Sequence, residues 1–91
     1  MKKMPNVDFD IDLFLRLFSD AVRSKRQELS LTQGKLINFL KACDIKVSQA
    51  YLSQLEAGQR KDPSARIVIA LSAILEIQLD HIIKEASRQY G

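Results

Sequence analysis

The residues best suited to chemistry lie between positions 48 and 61, SQAYLSQLEAGQRK. Spaced on a helix, Gln49, Ala50, Ser53, Gln54 and Ala57 fall on one face, while Leu52 and Leu55, with Tyr51 in part, fall on the other. The first face is polar but uncharged, and its side chains are short enough for a close approach. Ordinary solvated faces carry Lys and Glu, so a Gln/Ser/Ala face reads as a contact surface. Its chemistry is hydrogen bonding, and a Gln amide pairs bidentately with the adenine edge in a major groove. Gly58 ends the helix, as glycine does just past a C-terminus. Gln59, Arg60 and Lys61 follow as a polar, basic loop.

Other chemistries have little to work with. The chain has one histidine, His81, one cysteine, Cys43, no clustered carboxylates and no Gly-rich phosphate loop. No acid/base or nucleophile pair is visible, so an enzyme is not expected. One His and one Cys do not make a protein-only zinc site, and no metal or cofactor is expected. Cys43 reads as a small buried hydrophobe and His81 as a surface or packing residue. A single cysteine excludes an internal disulfide and fits a reducing, cytoplasmic setting. The MKK start lacks the apolar stretch of a signal peptide, and charges interrupt every apolar run, so no membrane span is expected.

The net charge is +3 and unevenly spread: residues 1 to 20 carry −1, whereas residues 23 to 61 carry +5. Positive charge thus surrounds the polar helix, where a polyanion needs it; the same charge also suits a solvated basic surface with no partner.

These residues need a frame, and 91 residues with 46% hydrophobic content suffice for one modest core. Residues 1–9 read as a flexible N-terminus, with Pro5 and Asn6 opposing a helix, and residues 10–91 as a single domain. A first helix from about Asp10 to Leu29 places Phe14, Leu17, Phe18, Ala21, Val22 and Leu29 on one stripe. Its start, IDLFLRLF, is apolar nearly all round, leaving Ile11, Leu13 or Leu15 to cover the core edge or to meet a partner chain. Thr32 is the N-cap candidate for a second helix over roughly 33 to 43, with Leu36, Ile37, Leu40 and Cys43 facing inward. Gln33 lies in its first turn, where free N–H groups and the helix dipole favour an anion. DIKV connects to Ser48, the cap of the polar helix. Asp62-Pro63 gives an N-cap and a proline at the first position of a fourth helix, which carries Ile67, Ala70, Leu71, Ile74 and Leu75. After Glu76-Ile77-Gln78, a fifth helix from about Leu79 carries Leu79, Ile82, Ile83, Ala86 and Tyr90. No strand-like alternation occurs, so an all-α domain of five helices is expected.

Two helices joined by a turn, the second with a polar face, have the form of a helix-turn-helix. The segments FSDAVRSKRQELSLTQ, YLSQLEAGQRKDPS and LSAILEIQLDHII, in that order, resemble the phage Cro and repressor (XRE family) DNA-binding proteins. The resemblance spans roughly residues 18 to 83 and implies a lambda-repressor-like fold whose recognition helix enters the major groove of double-stranded DNA. It also implies roles for individual residues. Gln49, Ala50, Ser53 and Gln54 would face base edges, with Ala50 meeting a thymine methyl or nothing. Gln33, Ser48, Gln59, Arg60 and Lys61 would meet phosphates. Arg26 and Glu56 would form an internal salt bridge.

The sequence departs from the family in its connection. Sixteen residues separate Thr32 from Ser48, several more than usual, Ile37 replaces the usual small residue, and the usual turn glycine is missing. Either the second helix is longer or the turn is expanded.

Family members act as two-fold dimers, which here implies a homodimer on an inverted-repeat operator. Its contact would come from Leu79, Ile82, Ile83 and Tyr90 of the last helix, with Ile11, Leu13 and Leu15 of the first as alternative or addition. Occupancy of a promoter by this single domain would make it a repressor. Small proteins of this type come from bacteria, plasmids and phages. An antitoxin-like module that binds a protein partner and regulates its own operon is the alternative, and co-purification of a second polypeptide distinguishes it.

Overall fold

The computed structural model describes residues 8–87, so Tyr90 and nearly all of the expected flexible N-terminus lie outside the described residues. Within them the chain forms α1 (Ile11–Glu28), α2 (Gln33–Ala42), α3 (Gln49–Glu56), α4 (Ala65–Leu75) and α5 (Leu79–Ala86), and no strand.

Each of the first four helices starts on a side-chain cap. Asp10 Oδ1 accepts from Leu13 N–H at 3.0 Å, Thr32 Oγ1 from Lys35 N–H at 3.1 Å and Ser48 Oγ from Tyr51 N–H at 2.9 Å. For α4 the cap is Ser64, which accepts from Ile67 N–H at 3.2 Å, rather than Asp62. Ser64 places an acceptor three residues before that N–H, so Pro63 stays outside the helix instead of opening it.

The helix ends share a second device. After α1, α2 and α3 the chain turns through a left-handed residue, Ser30 (φ 55), Asp44 (φ 61) and Gly58 (φ 75), and α4 ends on a fourth, Glu76 (φ 56). The next N–H then reaches back to the last turn: Leu31 to Arg26 O, Ile45 to Leu40 O, Gln59 to Gln54 O and Ile77 to Ser72 O, at 2.8 to 3.0 Å. These bonds satisfy carbonyls that a helix end leaves free, and the following apolar residue folds inward. Ile45 and Ile77 enter the core this way, and Leu31 packs against it.

Two expectations for the core are corrected by this geometry. Cys43 and Leu29 are both exposed, because each occupies the C-cap itself, from which the side chain points away. Ile45 and Leu31, two residues later, take the inward positions.

The core is built from Phe18 and Val22 of α1, Leu36 and Leu40 of α2, Leu52 and Leu55 of α3, Leu71 and Leu75 of α4 and Ile82 of α5, with Ile45 and Ile77 from the connections. Phe14 stacks on Phe18, with ring centroids 6.3 Å apart, and meets the tilted ring of Phe9 at 5.9 Å. The long α1 packs on α5, α3 and α4, and Asp10 N–H closes the frame on Ala86 O at 3.1 Å. The extra residues between Thr32 and Ser48 lie in the connection and not in α2, which has ten residues. Buried Ile45 and half-buried Val47 pin that connection, while Lys46 between them stays exposed.

Candidate nucleic-acid interface

Leu52 and Leu55, each 1% exposed, anchor α3 to the core and fix which face it shows. Gln49, Ala50, Ser53, Gln54 and Ala57 are all exposed on the other side. Burying two leucines contributes about 1.5–3 kcal/mol each, enough to hold an eight-residue helix that would not persist alone.

A polar network locks this helix to its neighbours. Arg26 Nε donates to Glu56 Oε2 at 2.7 Å and Nη2 to Oε1 at 2.9 Å, a two-pronged pair. Nη1 donates to Leu31 O at 2.8 Å. The side chains are 14% and 5% exposed, so most of the pair is withdrawn from water. The hydrogen bonds that Arg26 donates to Glu56, aided by the carboxylate charge, hold its guanidinium protonated above the usual range, against the opposing effect of burial.

Gln33 extends this network to the exposed face. Its Nε2 donates to Glu56 Oε1 at 3.2 Å, while its Oε1 accepts from Gln49 Nε2 at 3.3 Å and from Ser53 Oγ at 3.0 Å. In the protein by itself Gln33 therefore orients two candidate readers from the start of α2.

The loop after α3 is also tied to the exposed face. Arg60 lies over the Tyr51 ring, 4.5 Å from its centroid, and its Nη1 donates to Gln54 Oε1 at 3.4 Å. Gln59 and Lys61 are exposed beside it, and Ser48 is exposed at the opposite end of α3. Ser48 Oγ serves as cap acceptor, which leaves its hydroxyl proton available.

Two residues of this surface escaped the sequence reading. Tyr51 carries Arg60 on its ring, a relationship between positions on different elements that no local pattern reveals. Arg23 lines a groove of about 260 Å³ with Arg26, Gln33, Ser53 and Glu56. Its position one helical turn before Arg26 was the available signal.

The candidate dimer residues divide into two sets. Ile82 is 6% exposed and belongs to the chain's own core, and Leu79 packs against that core. Leu13 and Leu15 are half-buried on α1. Ile11 and Ile83 remain open, at 58% and 45%. Tyr90 falls outside the described residues.

Among the described residues no helix is long and apolar enough to cross a membrane, and no group of His, Cys, Asp or Glu is placed to hold a metal ion. A family model described as helix-turn-helix matches residues 22–82, which includes α2, the connection and α3 in full. No curated protein and no solved structure matches the chain at a significant level. The family match covers well over half of the sequence and coincides with a core-anchored helix showing an uncharged polar face, and the chain belongs to the XRE-type helix-turn-helix family of DNA-binding transcription regulators.

Proposed function

We propose that the protein is a dimeric repressor that binds an inverted-repeat operator through the major groove and acts by occupying it, in the cytoplasm where the DNA is. The observation that carries this reading is the exposed, uncharged face of α3 beside a basic loop. Gln49, Ala50, Ser53 and Gln54 meet base edges, where the two glutamine amides suit adenine. Gln33, Ser48, Gln59, Arg60 and Lys61 contact phosphates, which fix register without reading sequence. Arg26 and Glu56 hold α1 against α3 and stay off the DNA.

One recognition helix supplies too few base contacts to single out a site in a genome, hence the two-fold arrangement. Selection of bound sequences from random DNA, with sedimentation of the resulting complex, tests the reading. An enriched inverted repeat bound by two chains supports it; an enriched asymmetric site bound by one chain rejects it. The exposed Ile11 at the start of α1 also favours a second reading, an antitoxin-like module with a protein partner at that end. Stoichiometric co-purification of another polypeptide is its test.

A further inference from the structure

The family match begins at residue 22, yet α1 begins at Ile11, so three turns of helix precede the shared domain. Those turns run past the loop after α3 and enclose with it a pocket of about 300 Å³. Arg16 and Ser19 line it from α1, and Gly58, Arg60 and Lys61 line it from the loop. The volume is at the small end of ligand pockets, enough for a phosphoryl group and its neighbours.

Two features of the lining point to an anion. Ser19 is 3% exposed, and among the described residues its hydroxyl has no hydrogen-bond partner. Ser72, the other buried serine, bonds back one turn, its Oγ donating to Val68 O at 2.7 Å. Ser19 does not, and a buried hydroxyl without a partner is costly and rare. Three cations line the pocket with it, and among the described residues none of the three has an ion-pair partner. Asp12 lines the same pocket but lies beyond ion-pair distance of all three, so the lining keeps a net positive charge.

We propose that this pocket binds a phosphoryl group, with Ser19 donating its hydroxyl and Arg16, Arg60 and Lys61 supplying charge. The first three turns of α1 thereby convert the loop from a surface strip into a built site. A backbone phosphate of bound DNA and a free phosphate ion offer the same chemistry. The DNA case rests on the docking proposed above, whereas the free-ion case does not.

The test uses the full chain and the variants Arg16→Ala and Ser19→Ala. Thermal melting and calorimetric titration are run with inorganic phosphate against chloride at matched ionic strength. Binding to a random-sequence duplex is then measured across a salt series. Ser19→Ala removes an unpartnered hydroxyl, so without phosphate it should melt no lower than the parent.

If free phosphate is the occupant, phosphate raises the parent's melting temperature, and each variant loses affinity on the order of tenfold. The duplex salt slope then stays unchanged. If DNA is the occupant, Arg16→Ala flattens the slope by about one unit. Ser19→Ala, which removes no charge, then weakens duplex binding on the order of tenfold at constant slope. Equal phosphate responses in all three proteins together with duplex binding unaffected by Ser19→Ala overturn the proposal, whatever Arg16→Ala does to the slope. A Gln49→Ala control separates this from the operator reading, since Gln49 bonds Gln33 and lines no part of the pocket, so losing base discrimination there leaves every pocket result unchanged.

Discussion

Gln33 and Glu56, the first residue of α2 and the last of α3, are joined by a hydrogen bond of 3.2 Å from amide to carboxylate. The same carboxylate receives two bonds from Arg26, and the same glutamine accepts from Gln49 and Ser53. Three helices thus meet in one chain of polar contacts that runs from a largely buried ion pair to the outer face of α3. The orientation of Gln49 and Ser53, the candidate readers that Gln33 holds, is consequently linked to the stability of the pair.

Breaking the pair from either side should cost about 3 kcal/mol, since the surviving charge stays buried without its partner. Arg26→Ala and Glu56→Ala should each lower the urea midpoint, and the double variant should lose less than the sum, with a coupling of at least about 1 kcal/mol. Additive losses in this cycle would show that the two side chains act independently.

Readout gives a different pattern. Gln49→Ala and Gln54→Ala should each weaken binding to the selected operator by about 1–3 kcal/mol while barely changing binding to random DNA. Gln33→Ala should also reduce discrimination, because it releases Gln49 and Ser53 from their fixed orientation. Fluorescence anisotropy on matched and random duplexes decides this. Parallel losses on both would remove these residues from the reading role.

Much of this frame was legible in the sequence. Thr32 and Ser48 stand as hydroxyl acceptors three residues before the N–H groups they cap, a local relationship that spacing reveals. Leu52 and Leu55 against Gln49, Ser53 and Gln54 is likewise pure helical period. What could not be read was non-local or depended on backbone conformation. Asp44 and Glu76 take left-handed conformations without being glycine, so the sign of φ left no mark in residue type, and Cys43 was placed inside where Ile45 belongs. Ile82 fits a free apolar face equally well until its burial under α1 is known. The Gln33 network joins positions up to 23 residues apart and follows from packing alone.

The left-handed positions yield a stability prediction. Glu76 at φ 56 carries a strain of about 1–2 kcal/mol, from which the added freedom of glycine in the unfolded chain subtracts about 0.4–1 kcal/mol. Glu76→Gly should therefore stabilise the fold by roughly 0.5–1 kcal/mol. Asp44→Gly should gain less, because aspartate tolerates this region better. Chemical denaturation measures both, and a clear loss at Glu76 would mean its side chain holds something more than the turn.

Arg60 and Lys61 should differ although they adjoin. Lys61→Ala should flatten the salt dependence by about one unit and leave discrimination intact. Arg60→Ala should do the same and also reduce discrimination, since Arg60 rests on Tyr51 and bonds Gln54. Identical behaviour of the two variants would show that the contact with Gln54 does not persist on DNA.

Assembly is predicted from what the fold leaves uncovered. With Ile82 committed to the core and Leu79 packed against it, Ile83 within α5 and Ile11 at the start of α1 are open isoleucines on two elements that pack together, whereas the exposed Ile69 lies apart from them on α4. The bond from Asp10 N–H to Ala86 O holds the start of α1 to the end of α5, so the two side chains move as one unit. Exposed apolar surface of this kind favours a self-complementary contact about a two-fold axis. Ile83→Glu should dissociate the proposed homodimer, because each copy would bring a charge to the same axis, and Ile11→Glu should weaken it to a lesser degree. Neither change touches the core, so the melting of the monomer should hold. On DNA, the parent should cover two half-sites about 10 base pairs apart centre to centre, while the Ile83→Glu chain should occupy one half-site with reduced affinity. Sedimentation of the free chains and footprinting of the complexes check both halves of this prediction. A parent that sediments as a monomer on an asymmetric site, or an Ile83→Glu chain that remains dimeric, would place the two-fold contact elsewhere.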